Sequence, residues 1–274
     1  MAKRAQKSVL LVRIPQEVPN SAATFEQFLD NVQDIMPNEE ISFELLSFNQ
    51  HVYFYIVLNQ ELVPLLEGQL YALYPYAELE YVEDYVSPAV LREGFAGAEL
   101  SLERSDVLPI NTYKAFSSDS LSAIVAVLTK AHEDEQMWVQ VVIRPMPDNW
   151  KLNFLRRWKM KFHSIRLYFR IKNYFKLKSA KGMREVEKAA YIAKAEKDVG
   201  HVMIRMAYCA KSVERARAQV NTLAQAFFQF NTNDLNGFVH KPFSKQQLFF
   251  QRYKNRVLDV GWTFNLEEIA SVYH

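Results

Sequence analysis

Glycine is scarce in this chain, with seven residues in 274. Loops that wrap phosphate groups use glycine for close backbone approach, and no glycine here is followed by lysine, so a G-x-x-x-x-G-K-[ST] phosphate loop is excluded. Cysteine is scarcer still. The single Cys209 rules out an intrachain disulfide framework and a multi-thiolate metal site, and it fits a reducing, cytoplasmic compartment. No uninterrupted apolar run approaches the ~20 residues that a membrane-crossing helix requires. The apolar run at residues 8–14 is broken at Pro15, too early for a secretory signal. Acidic residues are missing from one long stretch. Residues 151–184 hold 12 Lys or Arg and no Asp or Glu, so with a total of +2 the remainder carries −10. The pattern is an acidic body with one basic arm.

What is present has globular proportions. An apolar fraction of 49% and a charged fraction of 23% exclude the disordered and low-complexity classes. The length accommodates one large domain or two ordinary ones, and the order of elements favours two.

Residues 8–14 (SVLLVRI) read as a short strand ended by Pro15. From Thr24 onward, Phe25, Phe28, Leu29, Val32, Ile35 and Met36 recur at helical spacing, with Thr24 and Gln27 as a capping box and Pro37 as the stop. Residues 41–48 and 51–58 are rich in β-branched and aromatic side chains and predict a hairpin about Asn49-Gln50. Asn59 is placed to cap a second helix that carries Leu62, Leu65, Leu66, Leu70 and Leu73 on one face and stops at Pro75. Residues 78–82 supply a last strand. The order is β-α-β-β-α-β, the split βαβ arrangement of ferredoxin-like domains.

The same order returns after Pro88. An extended region from residues 99–102 reaches Pro109 and Tyr113, and Asp119 or a neighbouring serine caps a helix bearing Leu121, Ile124, Val125 and Leu128. Strands are expected at 138–144 and 202–209. Ser212 caps a helix with Val213, Ala216, Val220, Leu223, Phe227 and Phe230, and residues 235–240 close the unit. No residue-by-residue repeat accompanies the duplicated order. The expected fold class is therefore α+β. It consists of two ferredoxin-like antiparallel sheet-plus-helices halves, 1–88 and 89–274, the second interrupted by a long basic amphipathic helical insertion at about 148–198 and extended at about 241–274. That extension reads as a short helix from Ser244, a strand around 257–262 and a helix from Asn265, where Asn265 and Glu268 form a capping pair. The last helix is only about two turns long at His274, which leads to the expectation that chain continues beyond it.

Catalytic patterns are sparse. His51, His132, His163, His201, His240 and His274 are scattered, with none four residues from another. Cys209 lies on an expected strand, where a small apolar role is the default. Gly94 and Gly97 read as turn punctuation. The acids Glu83-Asp84 and Glu133-Asp134-Glu135 fall at a strand end and in a turn, positions that suit a solvated surface. No catalytic, cofactor-binding or metal-ligating residue is assigned, and the chain reads as a non-enzyme.

The informative stretch is 151–178 (KLNFLRRWKMKFHSIRLYFRIKNYFKLK). At ~100° per residue, Phe154, Leu155, Trp158, Phe162, Ile165 and Phe169 share one narrow face, whereas Arg156, Arg157, Lys159, Arg166 and Arg170 lie outside it. Lys172 falls back on the apolar side. Candidate contact residues for a membrane or another polyanion are Arg156, Arg157, Trp158, Lys159, Lys161, Phe162, Arg166, Phe169, Arg170, Lys172, Lys176 and Lys178. Three uses fit this pattern. The apolar face can pack on the acidic body, the segment can lie on an anionic lipid surface, or its aromatics and cations can hold a single nucleic-acid strand.

Residues 41–85 (ISFELLSFNQHVYFYIVLNQELVPLLEGQLYALYPYAELEYVEDY), 108–116 (LPINTYKAF), 119–145, 226–238 (AFFQFNTNDLNGF) and 265–274 (NLEEIASVYH) resemble the N-terminal region of a bacterial family common in candidate phyla. In that family the region precedes a type IV secretion or conjugative DNA-transfer ATPase core. The resemblance implies an accessory domain at the cytoplasmic face of the membrane, with the ATPase core, on a separate or downstream chain, as its partner. Anionic membrane and DNA are the further partners considered. ATP binding is carried over to no residue, because the nucleotide-binding part has no counterpart here, and the segment at 150–184 is more basic and aromatic than the family's.

Overall fold

The computed structural model describes residues 6–15, 21–92, 94–146, 184–259 and 261–274. The elements run β1 (Lys7–Arg13), α1 (Ala22–Ile35), β2 (Ile41–Phe48), β3 (His51–Asn59), α2 (Val63–Leu73) and β4 (Glu78–Val82). They continue through β5 (Gly94–Leu102), α3 (Ser122–Leu128), β6 (Gln136–Pro145), α4 (Glu185–Glu196), β7 (Val199–Ala210) and α5 (Val213–Ala226). β8 (Phe238–Pro242), α6 (Gln246–Lys254), β9 (Trp262–Asn265) and α7 (Leu266–Val272) complete them. The fold is mixed α+β.

Where the sequence leads to two sheets, the strands form one. The order is β4-β1-β3-β2-β6-β7-β5-β8, every pairing is antiparallel, and β9 pairs with the start of β7. The joint is the β2–β6 ladder, which runs from Ile41 opposite Ile143 to Phe48 opposite Gln136. Successive side chains of a strand point to opposite faces, so this sheet needs two covers. α1, α2, α3, α5 and α7 bury Leu10, Phe43, Ile56, Val139 and Ile204 on one face. On the other, α6 and the connection after β4 cover Leu46, Tyr55, Trp138 and Cys209 with Phe249, Phe250 and Tyr253. Each fully buried aromatic of that second cover contributes roughly 1.5–3 kcal/mol of transfer free energy, which is what fixes a helix as short as α6.

Local chemistry explains several boundaries. Asn49 and Gln50 adopt φ of 50° and 62°, the left-handed pair that a two-residue hairpin turn demands. Ser212 Oγ accepts from Arg215 N, and Asn265 and Glu268 form a reciprocal capping box. α1 begins earlier than expected. Its cap is Ser21, whose Oγ accepts from Thr24 N, so the Thr24/Gln27 box is corrected to a cap one turn upstream. Gly94 and Gly97 are corrected from turn to strand residues of β5. A Cβ at Gly94 would sit 2.5 Å from the Ser212 carbonyl carbon, and one at Gly97 would sit 2.1 Å from the Phe249 ring, so close packing requires both glycines. Glu135 is also corrected. It is buried and accepts from Tyr208 Oη at 2.6 Å and Arg215 Nε at 2.6 Å. On α2, Leu66 and Leu70 point inward, while Leu65 points outward. The expected closing strand at 235–240 starts three residues later, because Asn236 is tied to the carbonyls of Ser105 and Leu108 and holds that loop away from the sheet.

Candidate interaction site

The contact residues expected from sequence, Arg156, Arg157, Trp158, Lys159, Lys161, Phe162, Arg166, Phe169, Arg170, Lys172, Lys176 and Lys178, lie outside the described residues. The structure does place the two roots of their segment. The outgoing root is Met146, directly after β6, with its backbone N–H on the Val199 carbonyl at 3.0 Å. The returning root is Arg184, whose guanidinium meets Asp234 Oδ1 at 2.6 Å. The segment therefore leaves the sheet at the end of β6, beside the start of β7, and returns into the helix that Arg184 opens, against the loop before β8.

Arg184 opens α4, a helix built inside out. Its two buried residues are Glu187 and Lys194, while Val186 and Ile192 stand 60% and 55% exposed. Seven residues apart on a helix, Glu187 and Lys194 share one face. That face is held by ions: Glu187 Oε1 lies 2.6 Å from Arg104 Nη2, and Lys194 Nζ lies 2.8 Å from Glu268 Oε2. Beyond the helix, Lys197 bridges Glu26 and Glu267, and Glu267 also takes Lys114 at 2.7 Å. The hydrogen bond from Arg104, backed by those from Arg184, pulls Glu187 down to about 2. Burial pushes Glu267 up, but Lys114, Lys197 and Thr112 outweigh it and bring the group to about 2. Glu268 goes the other way. Its complete burial raises it despite Lys194.

The second polar assembly crosses the joint of the sheet. Glu44, Gln140, Arg205 and Glu99 stand directly opposite one another on β2, β6, β7 and β5. Gln140 donates to Glu44 at 2.8 Å, Arg205 donates to Gln140 at 3.1 Å, and Arg205 Nε donates to Glu99 at 2.9 Å. Above them Arg256, held at φ 51°, gives Nε and Nη2 to the two Glu44 oxygens, both at 3.0 Å, and also grips Asp84. Tyr85 and Ser42 complete the shell of Glu44. The acids at Glu83-Asp84 are thus corrected in part, since Asp84 is a structural ion-pair partner. Sequence reading missed this row because its members are isolated charges in apolar strands, visible only once register is known.

Beside Arg256 an open cleft of about 720 Å³ runs between the ends of β1 and β4 and the turn after α6. Lys7, Glu40, Asp84, Lys254 and Arg256 line it, together with Ser8, Gln60 and Tyr81. Arg256 is paired with Asp84, and Glu40 with Arg144, so these charges fasten segments together. No histidine or cysteine lines the cleft. Cys209 is buried beneath α6. Among the described residues no group of three His, Cys, Asp or Glu is arranged to hold a metal ion, and no helix is long and apolar enough to cross a membrane.

A family model described as a domain of unknown function (DUF8128) matches residues 6–274, and the chain belongs to that family. No curated protein matches the chain.

Proposed function

We propose that this DUF8128 chain is a non-catalytic docking module that positions a conjugative-type DNA-transfer ATPase at the cytoplasmic face of a membrane. The basic segment at 151–178 is its contact with anionic surface. The observation that carries the reading is the rooting of that segment at the end of β6, next to the middle of the sheet, and at Arg184 of α4, on a body whose polar interior is committed to ion pairs. A rigid platform that holds a cationic, aromatic segment suits attachment. The resemblance of residues 41–85 and 265–274 to a region preceding a type IV secretion ATPase core supplies the partner.

The strand orders favour two ferredoxin-like halves. β4-β1-β3-β2 and β6-β7-β5-β8 each follow from a β-α-β-β-α-β sequence, with the second strand of each half meeting at the joint. In this reading residues 1–88 and 89–274 are the two units, and α4 closes the insertion at about 148–198. The test is co-purification from native cells with a tagged full chain. Recovery of a P-loop ATPase is expected, and its absence overturns the partner. Salt-sensitive binding of single-stranded DNA, with no flotation on anionic vesicles, would replace the membrane contact with a nucleic-acid one.

A further inference from the structure

Residues 14–91 contain 13 Asp or Glu and no Lys or Arg, whereas residues 151–184 contain 12 Lys or Arg and no Asp or Glu. Two blocks of opposite sign in one chain attract, and what remains is to find where they meet. Several acids of the first block are already matched: Glu26 by Lys197, Glu40 by Arg144, Glu44 and Asp84 by Arg256, and Glu80 by Arg13. The helical layer adds Asp34 and Glu61, both exposed, and the half-buried Glu67.

Glu61 precedes and Glu67 flanks an apolar helix face. α2 buries Val63, Leu66 and Leu70, and its opposite side presents Gly68 with Pro64, Leu65, Tyr71 and Ala72 three or four residues to either side and no charge among them. Leu65 is 47% exposed and Tyr71 41%, and Tyr76, just past the helix, is 69% exposed. A helix apolar on both sides is normally covered on both sides. Gly68 sits in the middle of the outer face, and a Cβ there would meet nothing within 4 Å. Glycine inside a helix is unfavourable, and nothing in its surroundings demands one, so the open space is suited to close approach by a second backbone.

We infer that this outer face of α2 is the docking site of the chain's own segment 151–178, whose apolar and cationic residues complement the uncharged face and the acids Glu61 and Glu67 beside it. The occupant follows from charge, chemistry and reach. Its sequence offers an apolar stripe (Phe154, Trp158, Phe162, Ile165, Phe169) flanked by cations, the complement of an uncharged face rimmed by acids. It leaves the sheet after Met146. Pairing through Ser42 sets Val142 level with Val57, two residues before Asn59 and the start of the α2 region, and the separation is two strand spacings, about 10 Å. A second copy is the poorer occupant, because a two-fold packing of α2 on itself through Gly68 would set Glu67 beside its own image. The inference goes beyond the docking function and does not rest on it, although one stripe cannot serve α2 and lipid at once.

The test couples carboxylates to amines at zero length in the full chain, without lipid, on a mixture of unlabelled and ¹⁵N-labelled protein. Links from lysines of 151–178 to Glu61 or Glu67 are expected, within one isotope. No such links, or links of mixed isotope only, overturn the inference. Gly68→Arg, in open space, should leave far-UV circular dichroism unchanged, remove the links and raise trypsin cleavage within 151–178 by about ten-fold. Unchanged cleavage refutes it. Tyr71→Ser provides a second variant with the same expected direction. Because lipid is absent, failed vesicle flotation leaves this outcome untouched.

Discussion

Replacing Arg256 with Met would expose how the two parts of the sheet are held. Arg256 is 2% exposed and reaches both oxygens of Glu44, itself fully buried, as well as Asp84. Removing one member of a buried pair strands the other, at a cost of roughly 3–5 kcal/mol. Glu44 would keep Ser42 at 2.6 Å, Gln140 at 2.8 Å and Tyr85 at 2.9 Å, which sets the expectation at the lower end, about 3 kcal/mol. In a chain of this size that lowers Tm by roughly 6–12 °C. Urea melts and thermal melts both read it. Adding Glu44→Gln removes the stranded charge, keeps an acceptor for Ser42 and Gln140 and turns an N–H toward the Tyr85 hydroxyl, which can accept it, so the double variant should be more stable than Arg256→Met alone by about 1 kcal/mol or more. A single-variant loss below about 1 kcal/mol, or a double variant less stable than the single, would refute the view that this pair is a buried, mutually dependent clamp.

Further outcomes follow from other sites. Glu187 and Glu267 sit near 2 in the folded chain against an ordinary 4.5, so their stabilisation is complete above about 4.5 and lost as pH falls toward 2. Hydrogen exchange in α4 should rise through that window, and Glu187→Gln should abolish most of the pH dependence there. Glu268 has the opposite sign. Its folded value is raised, so its carboxylate opposes folding at neutral pH, and that opposition fades as pH falls through the raised value. Gly97→Ala would drive a methyl into the buried Phe249 ring and should cost about 1–3 kcal/mol in a urea melt. Ser212→Ala removes the acceptor for Arg215 N and should cost about 1 kcal/mol by the same measurement.

Much of the local architecture was legible because its causes are local. Asn49-Gln50 announces its own turn, and Asn265 with Glu268 announces its own helix start, since each depends on two to four consecutive residues. The Thr24 box failed for a related reason: Ser21 and Thr24 are both competent caps, and only the chain path decides between them. Gly94 and Gly97 misled because a glycine reads the same whether it turns the backbone or admits a neighbour, and the neighbours, Ser212 and Phe249, are over a hundred residues away. The β2–β6 joint and the Glu44–Gln140–Arg205–Glu99 row were illegible for the same reason. They depend on register between strands far apart in sequence, whereas alternation reveals only which face each residue takes. Of the candidate site, the sequence exposed the basic block and its sign. It did not expose α4, whose inward charges and outward Val186 and Ile192 reverse the usual pattern.

The proposed docking role has the chain hold a nucleotide-driven partner with no turnover of its own. The direct measurement is a titration of the purified full chain against the ATPase recovered with it, with nucleotide turnover followed in the same samples. A saturable complex is expected, with turnover only where the ATPase is present. Nucleotide turnover by the chain alone, or no complex at any concentration, would contradict the account.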